Sequence, residues 1–137
     1  MKKYLLILLL TFFTIELSAQ KPTTFYFEFL NSSKDKIENF FGRKINNNIL
    51  IQPNGDWVCF FYNKNNICNL IEITTKNEES KDDFFNTINS CKSIVPNSDN
   101  IATTWLCRNI YYIEYFIPID NNFETLKFQL SKKIDEK

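Results

Sequence analysis

Histidine is absent from this 137-residue chain. With it go the usual general base near neutral pH, the usual partner of a nucleophilic serine and the commonest zinc ligand. Glycine is almost as scarce, at two residues. A dinucleotide fingerprint or a Walker loop needs several glycines so that backbone N–H groups can approach phosphate, and nucleotide chemistry is therefore all but excluded. An excess of either charge is also missing. Sixteen basic and 16 acidic side chains give a formal net charge of +0, which removes the basic footprint that grips a nucleic-acid backbone. No repeat, low-complexity tail or linker interrupts the chain, and its length allows one domain at most. No motif justifies naming a family.

What is present begins with an address. Lys2 and Lys3 precede a run from Tyr4 to Phe13 that is apolar or aromatic apart from Thr11, and Leu17-Ser18-Ala19-Gln20 follows as an exit of smaller residues. That is the pattern of a cleavable secretory signal, and the run is shorter than the roughly 20 residues that span hydrocarbon. Residues 1–19 are therefore read as a signal peptide, cut after Ala19 or Gln20, and residues 20–137 as a single mature domain, periplasmic or secreted. Its contact with the membrane would be transient, through the signal alone. Loss of Lys2, Lys3 and Glu16 leaves 14 basic and 15 acidic side chains, so the mature chain stays near neutral.

Four cysteines follow in the mature region, and an even number in an exported chain reads first as a disulfide framework. Cys59 and Cys68 flank the turn at Asn63 to Asn66. Cys91 lies on the apolar stripe of an expected helix and Cys107 near the end of the next expected strand. The expected bridges are Cys59 with Cys68 and Cys91 with Cys107. Zinc is disfavoured because no cysteine pair has the two-to-four-residue spacing of a structural site and no histidine is available. A calcium loop lacks its regular oxygen spacing and its glycine, so no metal or other cofactor is expected. A cysteine nucleophile would lack an activating base.

Periodicity supplies the architecture. Thr23 to Leu30 alternates, with Phe25, Phe27 and Phe29 on one side, and reads as a strand. Asn31-Ser32-Ser33 offers an N-cap for a short helix from Ser33 to Phe41, which Gly42 ends. Ile49 to Gln52 and Trp57 to Tyr62 are joined by Pro53-Asn54-Gly55-Asp56 and read as a hairpin, continued by Ile67 to Thr75. A helix capped at Ser80 would bury Phe84, Ile88, Cys91 and Val95, with Pro96 closing it. Ile101 to Cys107 and Ile110 to Ile117 read as two more strands. A closing helix, capped at Asp120 or Asn121, would bury Phe123, Leu126, Leu130 and Ile134. The expected class is α+β: a mostly antiparallel sheet of about five to six strands with two or three helices on one face, in the order β-α-β-β-β-α-β-β-α.

Aromatic residues crowd the strands, and most of them belong to the core and to cross-strand pairs. The outward set is the functional candidate. If Val58, Phe60 and Tyr62 point inward, then Trp57 and Phe61 point outward, beside Tyr112 or Phe116, and exposed rings of this kind anchor protein interfaces. The expectation is an exported, non-enzymatic binding protein with another exported protein as partner, such as an inhibitor or immunity-type protein. The competing class is a small envelope enzyme or ligand carrier that uses Glu72 or Glu114 in a pocket, the remaining acid-base candidates among apolar neighbours. A third, a structural subunit of an envelope assembly, would need a free sheet edge.

Overall fold

The computed structural model describes residues 22–94, 102–116 and 124–134. The expected signal peptide, its cleavage site, Pro96, and the caps at Asp120 or Asn121 all lie outside the described residues. Within them the fold is α+β, as its patterning indicated.

A hairpin of β1 (Ile49–Ile51) and β2 (Trp57–Tyr62) continues into β3 (Cys68–Thr75). Gly55, at φ 90°, occupies the left-handed position that the tight turn between β1 and β2 requires, and its N–H donates to the Gln52 carbonyl. A second meander contains β4 (Lys92–Ile94), β5 (Ala102–Cys107) and β6 (Tyr111–Phe116), and β7 (Leu126–Lys132) completes the set. The seven strands form one antiparallel sheet in the order β1-β2-β3-β7-β6-β5-β4. The last strand thus lies at the centre and joins the two meanders.

Two helices and a 3-10 segment cover one face. Helix α1 (Lys34–Phe41) starts where the Ser33 hydroxyl accepts the Lys36 N–H, and it ends at Gly42 in the left-handed conformation. Of its expected stripe, Ile37 is buried, Phe41 half-buried and Phe40 exposed. Helix α2 (Glu78–Asn89) is capped by Asn77, whose side chain accepts the Ser80 N–H at 3.0 Å. Ser80 is therefore in the first turn and not the cap.

Three expectations need correction. Thr23 to Leu30 is not a strand: Thr23–Phe29 forms a 3-10 helix that buries Thr23, Tyr26, Phe27 and Phe29. Phe27 stacks on Tyr111 at 4.3 Å between ring centroids, and Phe29 meets Phe60 edge-on. Burial on nearly all sides, not strand pairing, explains the density of rings there. The second helix stops at Asn89, before Cys91, because Cys91 is bonded to Cys107 and the next residue already pairs with Leu106 in the sheet. The closing helix is the central strand β7. Leu126, Phe128 and Leu130 are buried while Lys127, Gln129 and Ser131 point to the other face, a period of two that prevails over the wider spacing of Leu126, Leu130 and Ile134.

The core lies between sheet and helices. Leu50, Val58, Phe60, Ile71, Ile113 and Leu130 from the sheet meet Ile37 of α1 and Phe84 of α2 there. Phe84 packs on Phe128 at 4.5 Å and touches Trp105 and Tyr115. The opposite face of the sheet has no helix on it among the described residues.

Candidate binding face

On the open face, cross-strand register aligns side chains in transverse rows. The central row passes from Cys59 to Glu72, Gln129, Glu114 and Thr104 on five successive strands. Beside it run Trp57, Thr74 and Lys127 on one flank and Phe61, Leu70, Ser131 and Tyr112 on the other. Tyr112 and Phe116 lie two residues to either side of Glu114 on β6, and Ile113 between them is buried, so both rings belong to this face. The four aromatic residues singled out by alternation are therefore together on one surface.

Exposure is uneven across it. Trp57 and Phe61 are 55% and 41% exposed, whereas Tyr112 and Phe116 are intermediate. Two residues that sequence reasoning passed over, Ile49 and Ile51, are 38% and 54% exposed beside Cys59 and Trp57. The pairing of β1 with β2 puts all four large apolar side chains at one end of the sheet. Their signal was present in the hairpin alternation, which sends Leu50 inward with Val58 and leaves both isoleucines outside.

The carboxylates behave differently from one another. Glu72 accepts a 2.8 Å hydrogen bond from Gln129 Nε2 and lies 3.1 Å from Lys127 Nζ. Glu114 has no side-chain partner among the described residues. Neither lines the cleft beside Tyr112 or the cleft beside Trp57. Cys59 faces Glu72 across β2 and β3, and burial, together with that negative charge, pushes its thiol above the ordinary range.

The expected Cys59–Cys68 bridge is not formed; both are free thiols. A β-bulge explains this: Cys59 is on the open face with Glu72, whereas the register shifts between Phe61 and Tyr62, so that Cys68 pairs with Tyr62 and is buried although strict alternation would put it on the face of Leu70 and Glu72. Burial pushes the Cys68 thiol up to about 11. The Cys91–Cys107 bridge is present, with Cα atoms 4.6 Å apart, and ties the exit of α2 to the end of β5. At the other end of α2, polar groups tie its first turn to the β1–β2 turn. Asp56 accepts hydrogen bonds from the hydroxyls of Thr75 and Ser80 and from Asn54 Nδ2.

Among the described residues no group of three or more histidine, cysteine or acidic side chains is placed to hold a metal ion, and no helix is long and apolar enough to cross a membrane. No protein-family model matches this chain, and no curated protein or solved structure matches it.

Proposed function

We propose that this chain is an exported, non-enzymatic binding protein that occludes another exported protein through the open face of its sheet. The observation that carries this reading is the exposed cluster of Trp57 and Phe61 with Ile49 and Ile51, uncharged and mounted on paired strands. Large rings of low rotamer freedom lose little entropy on association, and the strands beneath them are already ordered. Tyr112 and Phe116 extend the same surface. The disulfide and the length of the chain suit a small secreted domain of inhibitor or immunity type.

A carrier or enzyme built on Glu72 draws less support, since that carboxylate is engaged by Gln129 and Lys127. The free-edge subunit reading is weaker still. The edge strands β1 and β4 have three residues each, and Arg43 already donates to the outer Ile51 carbonyl.

The test is capture from envelope and culture-supernatant extracts by the oxidised domain, with the W57A/F61A double variant in parallel. The reading expects one near-stoichiometric protein that the double variant loses. Equal recovery by both forms, or none by either, would overturn it.

A further inference from the structure

A second feature of the open face goes beyond that reading. At the end where β2 and β3 meet the start of α2, a cleft of about 590 Å³ is lined by Trp57, Thr74, Lys76, Asn77, Thr125 and the Asn54-Gly55 turn. We propose that this cleft binds a saccharide ring, with the indole of Trp57 as its stacking platform.

Size comes first. The volume falls in the range of small-ligand sites, whereas a protein partner lies over a surface. Next comes the platform. Trp57 is more than half exposed, yet its strand is paired on both sides, with Ile51 and Thr74 directly opposite. A flat ring held in this way presents its π face to the axial C–H groups of a pyranose.

The polar groups then restrict the ligand. Asn54 is fully engaged: its Nδ2 donates to Asp56 and Ser80, and its Oδ1 accepts the Asp56 N–H. Asn77 Oδ1 accepts from Ser80. These bonds fix the wall and leave its other donors unengaged. Left without partners among the described residues are the hydroxyls of Thr74 and Thr125, the Asn77 Nδ2 and the Lys76 ammonium. Two hydroxyls, an amide donor and one cation complement a ring edged with hydroxyl groups, neutral or carrying an acidic substituent. A cationic ligand finds no carboxylate, because Asp56 is buried behind the wall and already accepts three side-chain donors.

The same arrangement separates binding from turnover. Cleavage of a glycosidic bond takes a pair of carboxyl groups flanking it, and the cleft lining contains none. A nucleotide would also stack on the indole, with its phosphates near Lys76 and the start of α2, so it is the competing ligand that the experiment has to separate.

The experiment is an amide and indole NMR titration of the oxidised domain with chitotriose, cellotriose and trigalacturonate, and with adenosine monophosphate as the competing flat ligand. Each is taken to about 10 mM, where even a ligand of roughly millimolar Kd is near saturation. The expected result is that at least one saccharide shifts the Trp57 indole N–H and the amides of Thr74 and Thr125, leaving the Trp105 indole in place. W57A is expected to weaken that binding at least about tenfold and W57F to retain most of it, in line with the worth of one aromatic stack. Spectral dispersion of each variant reports its folding independently. Three outcomes overturn the proposal: no saccharide shifts these signals, W57A binds as well as the parent chain, or only the nucleotide binds. None of them bears on the capture experiment, whose readout is a protein partner.

Discussion

Asp56 and Ser80 are joined by a 2.6 Å hydrogen bond between the β1–β2 turn and the first turn of α2. The Thr75 hydroxyl donates to the other oxygen of the same carboxylate, and the Asn77 N–H in turn donates to Thr75. One buried side chain thus connects a hairpin turn, the end of β3 and the helix that covers the core. Removing it takes the acceptor from the buried Thr75 hydroxyl and one partner each from Ser80 and Asn54. D56A is expected to cost about 2–4 kcal/mol, by the penalty for orphaned buried polar groups, and D56N less because it still accepts at one oxygen. Urea unfolding of the two variants measures the difference; equal stability of D56A and the parent would rule out this role.

The disulfide and the free thiols give a second contrast. Cys91 and Cys107 are 16 residues apart, and cross-links over such loops stabilise by about 3 kcal/mol through loss of denatured-state entropy. The C91S/C107S variant is expected to lose that much in chemical denaturation. C59S is expected to change stability by less than about 0.5 kcal/mol, as for a half-exposed site without a bonded partner. Both thiols are pushed up by burial, so at neutral pH they remain protonated and poorly nucleophilic. Ellman's reagent should therefore react slowly with the native domain and rapidly with two thiols once it is unfolded.

Those cysteines also show where the sequence was legible. The bridge that formed is the expected pairing of Cys91 with Cys107, but Cys91 lies just past the end of α2 and not on its apolar stripe. The bridge that did not form was refused by an irregularity: a period of two in β3 would put Cys68 on the open face with Leu70, Glu72 and Cys59, and the register shift between Phe61 and Tyr62 turns it into the core, a feature of pairing that linear spacing does not carry. Where pairing is regular, alternation does place the residues of the open face. Trp57, Phe61, Tyr112 and Phe116 follow directly from Val58, Phe60 and Ile113 pointing inward. Two segments were misread for opposite reasons. Thr23–Phe29 has the alternation of a strand but is buried on nearly all sides as a helical cover. In β7, Leu126 and Leu130 recur at a helical spacing, and Phe128 between them is the residue that decides for a strand. The cleft at Trp57 left no trace in the sequence, since its lining comes from a turn, two strand ends and a helix cap distant in the chain.

Alkaline pH supplies a third test. Tyr26 is 3% exposed, and its hydroxyl accepts a hydrogen bond from Gln52 Nε2 at 2.8 Å. Burial, with a smaller contribution from the charge on Asp56, pushes its pKa up to about 12, partly opposed by the Gln52 bond. Below pH 10 the phenol is protonated in both folded and unfolded chains, and its contribution is complete. Between about pH 10 and 12 the unfolded chain releases the proton while the folded chain retains it, so stability falls as pH rises, by on the order of 2 kcal/mol. Y26F is expected to be less stable near neutral pH, through loss of the Gln52 contact, but to decline less steeply in this window. Denaturation at pH 8 and pH 11.5 compares the two slopes, and parallel decline would exclude Tyr26 as a source.

The last contrast separates a residue that folds the chain from one that serves its surface. Phe84 is fully buried and touches Phe128, Trp105 and Tyr115, so F84A removes a ring from a packed interior and is expected to cost about 3–5 kcal/mol. Trp57 is larger but rests on the open face, more than half exposed, beside its cross-strand neighbours Ile51 and Thr74. Such pairs contribute roughly 0.2–1 kcal/mol, so W57A is expected to stay within about 1 kcal/mol of the parent. Thermal and urea unfolding of the two variants settle the comparison. A W57A domain as damaged as F84A would make the indole part of the folding core and remove the reason for seeking its ligand; an intact one leaves the indole within the exposed patch it forms with Ile49, Ile51 and Phe61, and it is a contiguous apolar patch, not a lone exposed ring, that marks an interaction site.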